Sequence, residues 1–561
     1  MSATRRLAAA VVLVVLRVIT PDAQGTTVRL LDVADEAGLD LLNVSGGAAK
    51  DFIVDANGNG AAFFDYDKDG DLDVLIVNGS TRERLASGGD PMAALYRNDG
   101  GRRFIDVTAS SGFTRRGWGS GVCVGDIDND EAPDVYITAF GPDALWRNTG
   151  KGSFTDVTRR AGIDDTRWGT SCAFADYDRD GDLDLYVANY VKFDEASIPA
   201  RGTTASCRFM ATDVFCGPKR LTGDADILYR NNGDGTFTDV TTAAVVTDPG
   251  YYGFGVVFTD LTDDGWPDIY VANDSVPNLL FRNKRDGTFV EEGLISGAAL
   301  SGDGRPQAGM GVDAGDYNGD GLPDLLVTNF SHDYNTLYEN GPAGVFTDRS
   351  YATGLAATAG PYLGWGVKLA DFDNDGRLDA FIANGHVYPE VDRHGLGTRY
   401  RQHKQLFLND GTRFRHVTKE VGGGLLIEKS SRGAAFGDYD NDGDIDVLVI
   451  NMNDRPTLLR NDTPRTRHWI TLRLVGTKSN RDAIGAKITV EAGGRRQTTS
   501  IRGDGSYLSH SDLRAHFGLG EAAKVARVEI RWPSGLVQSL GALAIDQFYV
   551  VREGDAVIPG R

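Results

Sequence analysis

The polar positions of this chain keep a rhythm. Seven times, a stretch rich in glycine and small apolar residues runs into a nine-residue acidic loop and leaves it as a wholly apolar run. In the first copy Gly58 and Gly60 stand seven and five residues before Asp65. The loop is Asp65-Tyr66-Asp67-Lys68-Asp69-Gly70-Asp71-Leu72-Asp73, and the exit is Val74-Leu75-Ile76-Val77-Asn78. Glycines two apart lie on one face of a strand and mark places where backbones crowd. A short continuous apolar run reads as a strand buried on both faces. Each copy closes on a turn such as Leu95-Tyr96-Arg97-Asn98-Asp99-Gly100. The next opens with an alternating run such as Phe104-Ile105-Asp106-Val107-Thr108, which is a hairpin signal.

About four strands per copy, with loop starts 50 to 84 residues apart, predict an all-β chain whose main body, residues 28–462, is a seven-bladed β-propeller. The last copy ends at 458–462 without the Phe-type run, and Leu30-Leu31-Asp32-Val33-Ala34 supplies one near the front. The N-terminal strand is therefore expected to pair with 458–460 and close the ring, which removes exposed sheet edges. Insertions at 190–223 and 385–404 break the rhythm, and long loops on a rigid scaffold are where binding resides. From His468 the pattern changes. Runs at 469–475, 486–492, 496–501 and 525–532 alternate like strands and predict a small antiparallel β domain over 466–555.

The acidic loops carry the chemistry. Carboxylates at positions 1, 3, 5 and 9, with Gly at position 6, form an oxygen cage of the kind Ca²⁺ prefers. Four loops fit fully: Asp65, Asp67, Asp69 and Asp73; Asp176, Asp178, Asp180 and Asp184; Asp371, Asp373, Asp375 and Asp379; Asp438, Asp440, Asp442 and Asp446. In the fifth, Asn318 stands with Asp316, Asp320 and Asp324 and still offers an oxygen. The second keeps Asp126, Asp128, Asp130 and Asp134 but has Glu131 where Gly is expected, so its turn should be strained. The fourth has Thr262 at position 3, leaving Asp260, Asp264 and Asp268, and is expected to be the weakest. Clustered like charges repel unless a cation sits among them. Up to seven Ca²⁺ ions are thus expected, with a structural role. Mg²⁺ fits less well because it keeps several waters.

Charge narrows the function. The formal net charge is −21 over 561 residues, which argues against nucleic acid as a partner. Residues 463–561 hold 15 Lys+Arg against 9 Asp+Glu, so a basic tail of +6 stands beside a body of −27. Arg5 and Arg6 precede an apolar run at 7–19, too short to span a bilayer, and predict a signal peptide over 1–23. An extracytoplasmic location follows, as secreted, periplasmic or cell-surface protein, with no membrane contact beyond the export signal. Export permits disulfides. Cys207 and Cys216 share one insertion and are expected to pair. Cys123 and Cys172 precede equivalent loops and read as buried thiols.

Other features have plain readings. Trp118, Trp168 and Tyr252 each stand eight residues before a loop. They either ring the axis as a stacking surface or, the more ordinary outcome, pack between blades. His386, His394 and His403 share an insertion but match no zinc spacing and read as loop residues. Arg502-Gly503-Asp504 falls where the tail needs a turn and reads as coincidence rather than an adhesion motif. No nucleophile elbow, phosphate loop or zincin helix is present.

The Asp-x-Asp-x-Asp-Gly-x-x-Asp loops with their Leu-Tyr-Arg-Asn and Phe-x-Asp-Val-Thr flanks resemble FG-GAP/VCBS repeats. The tail runs 476–486, Gly505-Ser506-Tyr507-Leu508-Ser509, Phe517-Gly518-Leu519-Gly520 and Arg531-Trp532-Pro533-Ser534-Gly535 resemble the ASPIC/UnbV domain. Together, over roughly 28–555, they are similar to bacterial members of the cartilage acidic protein family. That resemblance implies an extracytoplasmic, calcium-binding propeller, with the position 7 carbonyl of each loop as a further ligand, and implies no reaction. The expected function is a binding or adhesion module for a glycan or an extracellular protein, as a monomer. The alternative is a calcium-dependent, lyase-like enzyme on polysaccharide with a site near His386, Tyr388 or His403.

Overall fold

A computed structural model describes residues 28–100, 102–163 and 165–560. The signal peptide expected over 1–23 lies outside them. The chain is all-β with a propeller-like arrangement. Among the described residues, seven antiparallel four-stranded sheets follow one another. The second is typical: Gly119–Gly125, Asp134–Ala139, Ala144–Asn148 and Phe154–Asp156 pair in sequence order. Its first two strands are wholly buried, while the last shows one buried residue and two exposed. That gradient is why the glycine-rich and apolar runs come first and the alternating run last.

The seventh sheet takes Ser431–Gly437, Asp446–Asn451 and Thr457–Asn461 from one end of the body and Leu30–Asp32 from the other. The register is Leu30 with Asn461, Leu31 with Arg460 and Asp32 with Leu459. The first strand of each sheet adjoins that of the next, and Ser431–Gly437 adjoins Ala61–Phe64 of the first sheet. Backbone crowding is severe along these strands. A Cβ on Gly121 would lie 2.4 Å from the Thr170 carbonyl oxygen, and one on Gly311 would lie 2.1 Å from that of Trp365.

Both cysteine pairs are bonded. Cys207–Cys216 clips the first insertion, as the sequence suggests. Cys123–Cys172 overturns the expectation of buried thiols. The two cysteines sit on the first strands of the second and third sheets, whose glycine-lined approach brings their Cα atoms to 5.8 Å.

The tail is two four-stranded sheets. It is not purely antiparallel, because His468–Val475 pairs in parallel with Gln547–Arg552. The long chain between these two strands, residues 476–546, permits a parallel crossover. One tail segment leaves this sandwich and enters the body. His510 exchanges backbone hydrogen bonds with Ala61 and Phe63, and Val122 N–H donates to the Leu508 carbonyl. Leu508 N–H donates to Ser171 Oγ, and Phe258 N–H to Asp504 Oδ2. Ser506 accepts from Val312 N–H and donates through Oγ to the Ala434 carbonyl, while Val367 N–H donates to Ser506 Oγ. Residues 504–510 thus touch the first strand of all seven sheets. Nothing in the tail's alternating pattern announced this. Arg502-Gly503-Asp504 is part of it, with side chains of Arg502 and Asp504 only 8% and 3% exposed, so it offers no adhesion motif.

Candidate metal centres

Each acidic loop joins the first strand of its sheet to the second. The position 1 carboxylate gathers the turn: Asp65 accepts from Asp69 N–H and Gly70 N–H, both at 3.1 Å. The position 9 carboxylate ties the turn to the third strand, with Asp73 accepting from Tyr66 N–H at 3.0 Å and Asn98 N–H at 2.8 Å. Each carboxylate oxygen keeps a further lone pair for another partner. Position 6 is left-handed throughout, as at Gly70 with φ 94°. In the second loop Glu131 adopts φ 69°, the strain expected there, and still donates to Asp126 Oδ2 at 2.6 Å.

In five loops, one carboxylate oxygen from each of positions 1, 3 and 9 lies within 4.8 Å of the other two. These triads are Asp65, Asp67 and Asp73; Asp126, Asp128 and Asp134; Asp176, Asp178 and Asp184; Asp371, Asp373 and Asp379; Asp438, Asp440 and Asp446. Position 5 stands outside them. Asp69, Asp130, Asp180, Asp375 and Asp442 each accept the N–H two residues on. The loops at 260–268 and 316–324 form no acidic triad, because Thr262 and Asn318 replace the position 3 carboxylate.

Position 3 reveals the fit. Asp67 Oδ1, Asp128 Oδ1, Asp178 Oδ1 and Asp440 Oδ1 are buried without a hydrogen-bond donor, and so is Thr262 Oγ1. An orphaned buried carboxylate oxygen is costly unless a cation meets it. Burial pushes Asp73 and Asp134 up to about 9, and Asp126 and Asp176 up to about 7. A hard divalent cation among these oxygens would reverse that and hold them ionised. The residues present can therefore hold such an ion, and Thr262 Oγ1 adds an oxygen that carboxylate counting misses.

The basic tail docks on these loops. Arg467 reaches Asp373 Oδ1 at 2.7 Å, Arg465 reaches Asp442 at 3.5 Å, and Arg473 lies 4.0 Å from Asp65. Lys487 meets Asp263 at 2.9 Å. The loops also join one another. Asn441 Nδ2 donates to Asp71, Asn129 Nδ2 to Asp182 and Asn374 Nδ2 to Asp444.

The remaining candidates are packed rather than poised. Trp118, Trp168 and Tyr252 are buried in one aromatic cluster with Tyr507 of the tail segment. His386 is buried. Its Nδ1 accepts from Tyr388 N–H at 3.1 Å, Nε2 bonds Ser331 Oγ at 3.0 Å, and burial brings its pKa down to about 3. His403 faces Glu428 at 3.4 Å, and His394 is exposed. Among the described residues no histidine joins a group of metal-binding geometry.

One set of structural residues escaped the sequence reading. The Asn closing each Leu-Tyr-Arg-Asn-type run donates through Nδ2 to the position 2 carbonyl of the preceding acidic loop. Asn148 bonds Tyr66, Asn231 bonds Ile127, Asn283 bonds Tyr177, Asn340 bonds Leu261, Asn409 bonds Tyr317 and Asn461 bonds Phe372. The signal was its recurrence in all seven copies.

Comparison with known proteins agrees with these features. The FG-GAP-like repeat model matches residues 65–137, 126–187, 211–271, 260–327 and 316–382, and the ASPIC and UnbV model matches 476–558. Cartilage acidic protein 1 of Xenopus tropicalis is 29% identical over 294 residues, which is 51% of this chain and 42% of that protein. The Homo sapiens protein is 28% identical over 296 residues, again 51% of this chain and 42% of its own length. The match thus spans less than half of these relatives. Among solved structures, YCF48 bound to D1 peptide is similar at 8% identity and a TM-score of 0.41, covering 79% of this chain and 96% of that one.

Proposed function

Because the chain belongs to the FG-GAP-like repeat family and carries an ASPIC and UnbV domain, we propose that it is an exported, calcium-stabilised seven-bladed propeller acting as a binding or adhesion module for a glycan or a protein. The observation that carries the calcium assignment is the buried, donorless position 3 oxygen beside two further carboxylates in loop after loop. Each ion would stiffen a strand connection and link folding to the metal. Ring closure is supported by the pairing of Leu30–Asp32 with Thr457–Asn461. Two disulfides support an extracytoplasmic location. Among the described residues no helix is long and apolar enough to cross a membrane. The enzyme alternative draws no support from His386, whose buried imidazole is a poor base near neutrality.

The test is thermal unfolding of the full chain in excess Ca²⁺, in Mg²⁺ and in chelator, with bound metal counted by mass spectrometry. Five to seven Ca²⁺ per chain, and a melting temperature many degrees lower in chelator, are expected. An unchanged melting temperature would sink the assignment.

A further inference from the structure

The acidic loops follow the C-terminal ends of the first strands, and the two insertions gather at the opposite end. There a cavity of about 430 Å³ opens, a size suited to a small molecule. Phe209, from the disulfide-clipped insertion, faces Phe330 at 5.8 Å and Tyr388 at 5.7 Å between ring centres. Phe254 and Trp365 also line the cavity. Tyr507 packs against both, at 5.5 and 4.7 Å, so the tail segment stands behind this wall.

Polar groups, among them Asn57, Asp274, Gln307, Ser331 and His332, share the lining of this cavity with the aromatic ones. Asn57 lines it, is 7% exposed, and its Nδ2 has no hydrogen-bond acceptor. Its own carbonyl accepts from Tyr507 Oη at 3.0 Å, which fixes the backbone that carries the amide. Asp274 is held by Tyr190 Oη at 2.7 Å and Ser275 Oγ at 2.8 Å. A carboxylate so held keeps acceptor capacity for ligand hydroxyls. Arg208 is already paired with Asp213 at 3.1 Å and Asp274 is already held by Tyr190 and Ser275, so neither calls for a charged ligand.

On the premise that the molecule is a binding module, we infer that this cavity binds a neutral pyranoside of about one or two sugar rings. Phe209 and Phe330, half-buried at the cavity, offer an apolar surface to the C–H face of a sugar ring. The stranded Asn57 amide lacks an oxygen acceptor, and Asp274 can accept from further hydroxyl donors. The Cys207–Cys216 bond holds Phe209 and Phe215 against the cavity, so the site depends on oxidation.

The experiment is isothermal titration of the calcium-loaded full chain with the methyl glycosides of glucose, galactose, mannose and N-acetylglucosamine, and with cellobiose and lactose. Glucuronate and choline are the charged comparisons. At least one neutral glycoside is expected to bind one-to-one. Phe209→Ala and Asp274→Asn should each weaken it about tenfold or more with the melting temperature kept. Phe209 is half-buried on the insertion, so its variant decides the question if Asp274→Asn fails to fold. No binding by any neutral glycoside, binding of choline or glucuronate alone, or unchanged affinity in Phe209→Ala would overturn the proposal. A chelator-sensitive melting temperature without sugar binding would overturn this inference and leave the calcium propeller standing. An insensitive one would sink the calcium assignment and leave this inference to the titration.

Discussion

The side-chain amide of Asn98 donates to the carbonyl of Tyr439, 2.9 Å away and 341 residues later in the chain. The same nitrogen reaches the Leu72 carbonyl at 3.2 Å. In the other six sheets the corresponding Asn bonds the sheet before it in sequence. Here the first sheet bonds the seventh, so this contact belongs to the proposed ring closure. Replacing Asn98 by Ala strands two buried carbonyls and is expected to cost about 2–3 kcal/mol, as Asn231→Ala should between the third and second sheets. Urea unfolding of both variants checks it. A neutral Asn98→Ala beside a costly Asn231→Ala would mean the ring is open.

The loops should differ in their need for metal. Asp128 completes a triad and has a donorless buried oxygen, whereas Asn318 holds the same position in a loop without an acidic triad. Asp128→Ala is therefore expected to lower the bound Ca²⁺ by one and to remove about 2–3 kcal/mol of stability at Ca²⁺ near a hundred times its dissociation constant. Asn318→Ala should cost less. Equal effects of the two, measured by metal counting and unfolding in the same buffer, would break the link between triad geometry and affinity.

Much of the fold was legible because its local signals repeat. The acidic loop, the Asn-Gly-type turn and the apolar exit strand each follow from short-range chemistry, so Asp65–Asp73 could be read as a ligand loop from its letters alone. The Leu30–Asp32 strand could be assigned because the last copy lacks a run that the first residues supply. What stayed hidden was long-range. Gly505-Ser506-Tyr507-Leu508-Ser509 carries only local signals, and only the assembled body makes it a segment that touches every sheet. Cys123 and Cys172 look like core thiols until the crowding of neighbouring first strands brings them together. The basic excess of the tail hinted at docking, yet it could not name Arg467 and Asp373 as partners.

Acid should destabilise the protein through histidines held neutral. Burial lowers both His386 and His510 from the ordinary value near 6.5 to about 3. The unfolded chain takes up these protons as pH falls below 6.5, and the folded chain does not until about 3. The stability they contribute is thus full above 6.5 and is lost progressively towards pH 3, at up to about 1.4 kcal/mol per pH unit for each group. His386→Asn removes one of them. Its deficit against the parent, measured by urea unfolding in saturating Ca²⁺, should be largest at pH 7 and shrink by pH 5. A deficit that stays constant across that range would show that His386 is not held neutral.

The tail segment should be inseparable from the body at Gly60. A Cβ there would lie 1.6 Å from the Leu508 carbonyl oxygen, and backbone cannot swing aside as a side chain can. Gly60→Ala must therefore either shift the first sheet or expel the segment, and a loss of more than about 4 kcal/mol is expected. Gly47→Ala is the control, because nothing lies within 4 Å of its added methyl. Expulsion has its own signature. Arg502 and Arg514 are nearly buried in the parent, with side chains 8% and 7% exposed, and should resist trypsin. In Gly60→Ala both should become early cleavage sites, while Gly47→Ala should digest like the parent. If Gly60→Ala melts and digests like the parent, Leu508 does not pack against Gly60.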